Sequence, residues 1–457
     1  VISPPRSRRA LVRHVIDRAI TRVRATLQAQ SPPPSLLLAL FLVALWPRLS
    51  FVDEHPPGLY LVSDMAIYRE RALRMLDGPR DVWDTFTPPG YPALVALIFA
   101  AFGRNDAHVG LLQAALGAAT VVLAFLVAHR VSGSIVAALG AFTVLALYPP
   151  LLLYTGFFLT ETTFAFLVAL FVVAFVAAVD RASPLVAAAS GVVFAAASAV
   201  RPNLLLAIPF LAVVILVLRR EPRVVRAGVI AMLAALPVLA AVSRDNSRLA
   251  GRPVLLATNG GVNFYLAHAD VRGLRFPAGD AVRELSTYAS RARRAPVEEV
   301  DIHAYDDAAF YARGLASIRH DRTALRRSLG AIADGLGAGA VGGRENPPYW
   351  PGWMGHDEPL GRWLRAMLAL GTVPAVAHAA WLARRRKLAR LDELPRLLVL
   401  ALLASVIATL SLFLGNPRVR VSFDPLLIAL AAAAWGALAR AAWIKLRSRR
   451  GASSRAP

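Results

Sequence analysis

TPPGYPALVALIFAAFG, residues 87–103, holds the apolar block that decides how the whole chain is threaded. Its core, GYPALVALIFAAF (90–102), has 13 residues, whereas a helix needs about 20 to cross ~30 Å of hydrocarbon. Longer apolar blocks flank it, at approximately 34–52, 107–129, 134–153, 158–179, 184–199, 203–218, 227–243, 363–383, 397–415 and 423–439. Charge settles which of the two kinds spans. If the ten longer blocks cross and 90–102 does not, the loops facing one side carry 25 basic residues against five acids, the asymmetry that marks cytoplasmic loops. Counting 90–102 as a crossing would move Arg181, Arg219, Arg220 and the 384–387 cluster to the other side. The block therefore reads as a re-entrant or interfacial helix on the outer side.

This threading predicts an all-α polytopic membrane protein of about ten transmembrane helices with both termini cytoplasmic. The composition agrees: 57% of the 457 residues are apolar and the mean hydropathy is +0.53, above the ~45–50% apolar share of soluble domains. The net charge of +22 would suggest nucleic acid in a soluble protein. Here it is concentrated in the cytoplasmic loops, so it orients the chain and implies no nucleic-acid partner. With no cysteine, disulfides and thiolate metal sites are excluded. No small-x-small cleavage site follows 34–52, so that block reads as a retained span.

The segments divide accordingly. Residues 1–33 form a basic cytoplasmic segment, and 34–243 a transmembrane module with a first outer loop at 52–106. A long outer segment follows at 244–362, then C-terminal spans at 363–443 and a basic tail at 444–457. In the first loop, Ser63 can cap a helix, SDMAIYRERALRMLDG (63–78), whose Met65, Tyr68, Ala72 and Met75 recur at helical spacing; such a helix would lie along the membrane surface. The long segment carries 15 basic and 14 acidic residues over 244–361 and reads as mixed helices and loops. Its DAAFYARGLASI and ALRRSLGAIADGL are amphipathic, and NGG (259–261) and NPPYWPGW (346–353) are turns.

Ionisable residues in span centres mark ion and proton paths, and these spans have none, which argues against an ion-coupled transporter. Charges gather at the outer helix ends instead: Asp64, Glu161, Arg201, Arg418, Arg420 and Asp424. Singly, each has a plainer role, the arginines in snorkelling or headgroup contact and Glu161 in complementing a helix dipole. Together they supply carboxylates and guanidinium groups at one depth, a set that can hold a phosphate and deprotonate a hydroxyl. His108, His268, His303 and His356 have no metal-ligand spacing.

The order of motifs resembles the GT-C superfamily of membrane glycosyltransferases. The similar branch is the one that uses dolichyl- or polyprenyl-phosphate sugars, the family 39-like group of protein O-mannosyltransferases and lipid A aminoarabinose transferases. The resemblance runs over 34–440 and rests on SDMAIYRERALRMLDG, TPPGYPALVALIFAAFG, LLQAALGAATVVLAFLVAHRVSG (111–133), FLTETTFAFL (158–167), AVRPNLL (199–205), TNGGVNFYLAHA (258–269) and NPRVRVSFDPLL (416–427). It implies a GT-C fold with juxtamembrane helices in the first outer loop, in a bacterial inner membrane, and an active site on the periplasmic or extracellular face. It also implies inverting transfer of a sugar from a polyprenyl-phosphate donor to a lipid, glycan or protein hydroxyl, with membrane lipids as further partners.

By the same resemblance, Asp64 is the catalytic base and Glu161 the second acid, which positions the acceptor or, in some relatives, binds a divalent cation (Mg or Mn) with Asp64. Arg201 and one of Arg418 and Arg420 hold the donor phosphate; the stretch PRVRVSFDP, where many relatives have an Arg-Tyr pair, leaves both open. Tyr68, Tyr91 and Asn259, in matching motifs, join the substrate-binding set. A lipid-linked-glycan flippase would show a polar path through the spans, and an O-antigen ligase or polymerase would lack the first-loop Asp with PPGYP.

Overall fold

The computed structural model describes residues 32–59, 61, 63–286, 295–321, 323–337, 376–377, 380, 390–413 and 417–453. The expected span at 363–383, apart from 376–377 and 380, and the turn at 346–353 lie outside these, as does nearly all of the basic N-terminal segment. The first half consists of α1 (Pro34–Glu54), α2 (Asp64–Asp77), α3 (Gly90–Phe102), α4 (Asp106–Ser132), α5 (Ile135–Ala146), α6 (Pro149–Leu153), α7 (Glu161–Asp180), α8 (Pro184–Val200), α9 (Ala207–Val217) and α10 (Pro222–Ala250). Beyond it come α11 (Gly260–His268), α12 (Asp307–His320), α13 (Ala324–Gly337), α14 (Leu394–Leu412), α15 (Pro417–Val421) and α16 (Asp424–Ser453).

Among the described residues, six helices are long and apolar enough to cross a membrane, at Pro34–Leu59, Asp106–Ser132, Glu161–Asp180, Pro222–Ala250, Leu391–Leu412 and Asp424–Ile444. A bent pair, Ile135–Ala146 with Pro149–Gly156, makes a seventh. The count is thus six or seven, against the ten expected. The blocks at 184–199 and 203–218 form shorter apolar helices, Pro184–Val200 and Pro202–Val217. The 13-residue α3 is short, as its sequence predicts. Leu38, Leu42, Val43 and Trp46 on α1 and Met232, Leu233 and Leu236 on α10 are exposed. Large apolar side chains that face outward along helices of this length have hydrocarbon as their solvent.

The bend in the expected 134–153 span has a local cause. Pro149 and Pro150 lack the N–H groups that would bond the carbonyls of Leu145 and Ala146 four residues back, and the pair kinks by 54°. A freed carbonyl at membrane depth needs another donor. Arg48 of α1 provides it: the guanidinium donates to Leu145 O at 3.2 Å and Ala146 O at 3.1 Å, and to Ala44 O at 2.7 Å. The side chain is fully buried.

α4 packs against α1, α5, α7 and α16, and a continuous core that includes Phe125, Leu145, Phe158, Phe164, Val172, Leu402, Leu410 and Phe423 runs between them. A second core, of Phe86, Val262, Leu266, Leu274, Phe276 and Phe310, lies in the outer segment and takes in Ile67 and Trp83 of the first loop. That segment is not purely helix and loop. It holds a sheet ordered β2–β1–β3 from strands β1 (Gly273–Arg275), β2 (Glu284–Ser286) and β3 (Val297–Glu299). β1 pairs antiparallel to β2 and parallel to β3. Strands of three residues are too short for an alternating pattern to be read, so the all-α expectation misses them.

Candidate active site

Four of the predicted site residues, from four distant segments, meet at one end of the bundle. Arg418 on α15 donates from Nε to Glu161 Oε1 at 2.6 Å and from a terminal nitrogen to Asp64 Oδ2 at 3.1 Å. Arg201, just after α8, reaches the same Glu161 oxygen at 2.7 Å. It also donates to Thr160 Oγ1 at 2.7 Å and to the backbone carbonyl of Arg418 at 3.2 Å, and its guanidinium lies 5.7 Å from the Phe164 ring centroid. Two acids and two arginines thus form a compact, charge-balanced cluster. Asp64 is its open member, with its side chain 38% exposed, while Glu161 is 1% exposed.

Each member is held by local structure. Asp64 opens α2, but Ser63 does not cap that helix through its side chain as expected. It turns the chain with φ +51° and ψ −130° and makes no cap hydrogen bond. A backbone in that region strains a residue with a Cβ, and the turn directs the next residue, Asp64, into the cluster. The buried face of α2 is Met65, Tyr68, Arg71 and Ala72, so an arginine stands where a purely apolar stripe is expected. Arg71 donates to the carbonyl of Thr87, and Arg74 donates to the buried Asp84 at 2.8 Å. These contacts tie α2 to the strand of loop that leads into α3. Gly90 opens α3 against the end of α8: a Cβ there would come within 2.6 Å of Ala199 C and 2.7 Å of Val200 N. The glycine of PPGYP therefore lets α3 approach the residues immediately before Arg201.

Glu161 begins α7 after a 3-10 turn at Tyr154–Gly156 and a short irregular stretch, whose carbonyls take further donors. Gln113 of α4 supplies them, donating from Nε2 to Thr155 O and Phe157 O, both at 2.9 Å. Its own Oε1 accepts from the Tyr91 hydroxyl at 2.9 Å. Tyr91 therefore braces the entry to α7 and does not point a polar group at the cluster. Tyr68 packs edge-on against Tyr91. Burial first, then the nearby Asp64 charge, pushes its hydroxyl well above the ordinary phenol range, so it stays a neutral donor.

Arg420 is placed elsewhere. It pairs with Asp424 at 3.1 Å and donates to Leu336 O at 2.9 Å, while Tyr148 donates to Asp424 Oδ2 at 2.7 Å. Of the two arginines left open by the sequence, Arg418 joins the acids and Arg420 docks α13 onto α15. Burial works against charge on Arg418, but Glu161 and Asp64 more than offset it and hold its pKa well above the ordinary value. Asn259 precedes α11 and accepts through its carbonyl from Asn263 Nδ2 at 2.9 Å. Among the described residues, no hydrogen bond joins its side chain to the cluster.

Sequence reasoning missed Thr160, Arg71, Asp84 and Gln113. Thr160 adjoins Glu161 in FLTET, and that adjacency was the available signal; Gln113 is a polar residue inside the apolar block 107–129, while Arg71 and Asp84 lie in the polar first loop and carry no such mark. The residues do not fit a divalent cation between Asp64 and Glu161, because Arg418 already bridges these carboxylates. Among the described residues, no three His, Asp or Glu side chains gather to hold an ion. Glu161 Oε2 is a buried acceptor with no hydrogen-bond partner among the described residues.

The cluster sits at one end of a bundle in which, among the described residues, six or seven helical segments are long and apolar enough to cross a membrane. No family model and no curated protein matches the chain significantly. Among solved structures, it is similar to the Archaeoglobus fulgidus oligosaccharyltransferase tethered to an acceptor peptide containing the NVT sequon. That match has a TM-score of 0.50 and 13% identity over 88% of this chain. It covers 49% of the oligosaccharyltransferase, so this chain spans about half that protein's length. Two structures of ArnT from Cupriavidus metallidurans are also similar. The one bound to undecaprenyl phosphate has 16% identity and a TM-score of 0.39, over 89% of this chain and 79% of that one. The apo form has 17% identity and a TM-score of 0.38, over 88% and 78%.

Proposed function

We propose that this protein is an inverting membrane glycosyltransferase that moves a sugar from a polyprenyl-phosphate donor to an acceptor hydroxyl. The observation that carries the reading is Arg418 bridging Asp64 and Glu161 with Arg201 alongside. Guanidinium groups so placed match phosphate oxygens in charge and geometry, and a half-exposed carboxylate stands next to them to serve as base.

Asp64 takes the proton of the acceptor hydroxyl as that oxygen attacks the anomeric carbon from the face opposite the phosphate. The C–O bond to the phosphate breaks, configuration inverts, and the phosphate leaves with its charge balanced by Arg201 and Arg418, the kind of electrostatic term that usually dominates. Glu161 sets the position of both arginines through Oε1. Outside the cytoplasm a donor must carry its activation across the bilayer, and a polyprenyl phosphate does so because its tail stays in the hydrocarbon. The basic loops support a site on the extracytoplasmic face of a bacterial inner membrane, with ten crossings and both termini cytoplasmic. The acceptor is a lipid, glycan or protein at that face.

The test uses membranes holding the protein and a polyprenyl-phosphate sugar, with transfer to endogenous acceptors followed by mass spectrometry. Asp64→Asn abolishes transfer on this reading. Undiminished transfer by that variant removes Asp64 as base, and undiminished transfer by Arg201→Gln and Arg418→Gln together removes the donor site.

A further inference from the structure

A cavity of about 270 Å³ lies at the end of the bundle opposite the Asp64–Glu161 cluster. Ala178, Ser183, Pro184, Ala187, Arg223, Arg226, Ala227 and Ile230 are among the residues that line it. Seventeen residues of α7 separate Glu161 from Ala178, roughly 26 Å of helix rise, close to one hydrocarbon thickness. The cavity has a structural origin. α8 and α10 touch where Gly191 meets Ala231, so closely that a Cβ on Gly191 would fall 1.9 Å from Ala231 O. One to two turns nearer their N-termini the small side chains of Ala187 and Ala227 leave the space unfilled.

Its wall is apolar on the bundle side and cationic at the rim. Arg223 and Arg226 are exposed, and among the described residues neither forms an ion pair or hydrogen bond. Arg130, by contrast, is paired with Asp180 at 3.3 Å, which takes up a carboxylate at this end of α7. Glu221, the residue before α10, is the remaining acid on that turn. We propose that this cavity binds the phosphate headgroup of an anionic phospholipid of the leaflet opposite the catalytic cluster. The phosphate lies between Arg223 and Arg226 while one acyl chain follows Ala187 and Ile230 into the bilayer. The volume is below the ~300–1,000 Å³ of pockets that enclose a whole drug-sized ligand, so the site takes a headgroup and leaves the tails outside. Two arginines without acidic partners at the membrane surface attract anionic lipid in preference to zwitterionic lipid. This assignment stands apart from the glycosyl-transfer reading and survives its failure.

The full chain is reconstituted into nanodiscs of mixed phosphatidylglycerol and phosphatidylcholine, and retained lipid is counted by native mass spectrometry after mild detergent release. Wild type retains phosphatidylglycerol over phosphatidylcholine, and Arg223→Gln/Arg226→Gln lowers that retention by about tenfold or more. Arg219→Gln/Arg220→Gln removes the same charge from the same end without touching the cavity, and it leaves retention within about twofold. Ile230→Trp, which fills the cavity and keeps both arginines, lowers retention as the first pair does. Equal losses in the two arginine pairs, or no loss in either, overturns the proposal, as does full displacement of the lipid by inorganic phosphate. Unchanged thermal unfolding in the arginine variants confirms that retention reports the site.

Discussion

Arg418 Nε lies 2.6 Å from Glu161 Oε1, across 257 positions of sequence, and that bond joins the last outer turn of the chain to the start of α7. Because Asp64 shares the same guanidinium, removing Arg418 takes this ion pair from Asp64 and leaves Glu161 with Arg201. Arg418→Gln is expected to cost ~1–3 kcal/mol, between an exposed and a buried pair because Arg418 and Asp64 are partly exposed, and to abolish donor binding. Glu161→Gln added to it should recover part of the stability and none of the activity. Thermal unfolding and donor titration of the three variants separate the two effects.

Arg420 predicts the opposite pattern from Arg418. Its bonds to Asp424 and Leu336 O fasten α13 to α15, so Arg420→Gln should lower the unfolding temperature and raise amide exchange in α13. Donor affinity should change by less than in Arg418→Gln. Comparing donor affinity of the two variants at a temperature where both are folded decides it.

Arg48→Met should destabilise by ~2–4 kcal/mol, because the Leu145 and Ala146 carbonyls each lose a donor where water is absent. Replacing Pro149 and Pro150 by alanine in that background returns backbone N–H groups to the same carbonyls and should recover part of the loss. Unfolding in detergent, with and without the proline replacements, provides the reading.

Gly90→Ala forces a methyl group into the backbone of Ala199 and Val200. A cost of ~1–3 kcal/mol is expected from such overpacking, together with a fall in kcat as α8 moves and takes Arg201 with it. Transfer kinetics at saturating donor test this; an unchanged kcat would show that α3 does not set the arginine.

Asp321 carries the pH-dependent prediction. Bonds from the Thr323 hydroxyl and amide, both 2.7 Å, and from Arg327 at 2.6 Å draw its pKa down from 3.8 to about 2. A folded-state value below the unfolded one gives stability that is present above pH ~4 and lost as pH falls through about 2. Amide exchange in the first turn of α13 should therefore differ between wild type and Asp321→Asn above pH 4, and the difference should vanish as pH approaches 2.

The charged cluster was legible in sequence to a considerable degree. Asp64, Glu161, Arg201 and one of the two arginines near 420 are charges gathered at the outer ends of apolar blocks, and the structure brings these four together. Tyr91 and Arg420, expected among the substrate contacts, bond to Gln113 and to Asp424 and Leu336 O, partners set by packing that no local pattern encodes. Asn259 belongs to neither group by its contacts. The three-residue strands were invisible for a related reason, since a sheet that small is fixed by the core beneath it.

The sequence by itself determined that this chain lives in a bilayer, which blocks are apolar, which loops are basic, and that 90–102 is too short to cross. These are consequences of composition and length, each measured along the chain and independent of what folds against what. Only the tertiary structure decided that Arg418 and not Arg420 faces the acids, that Arg48 repairs the break at Pro149, and that Gly90 sits on the backbone before Arg201. Such choices arise from contacts between residues tens to hundreds of positions apart, where close packing admits one partner and excludes its neighbour.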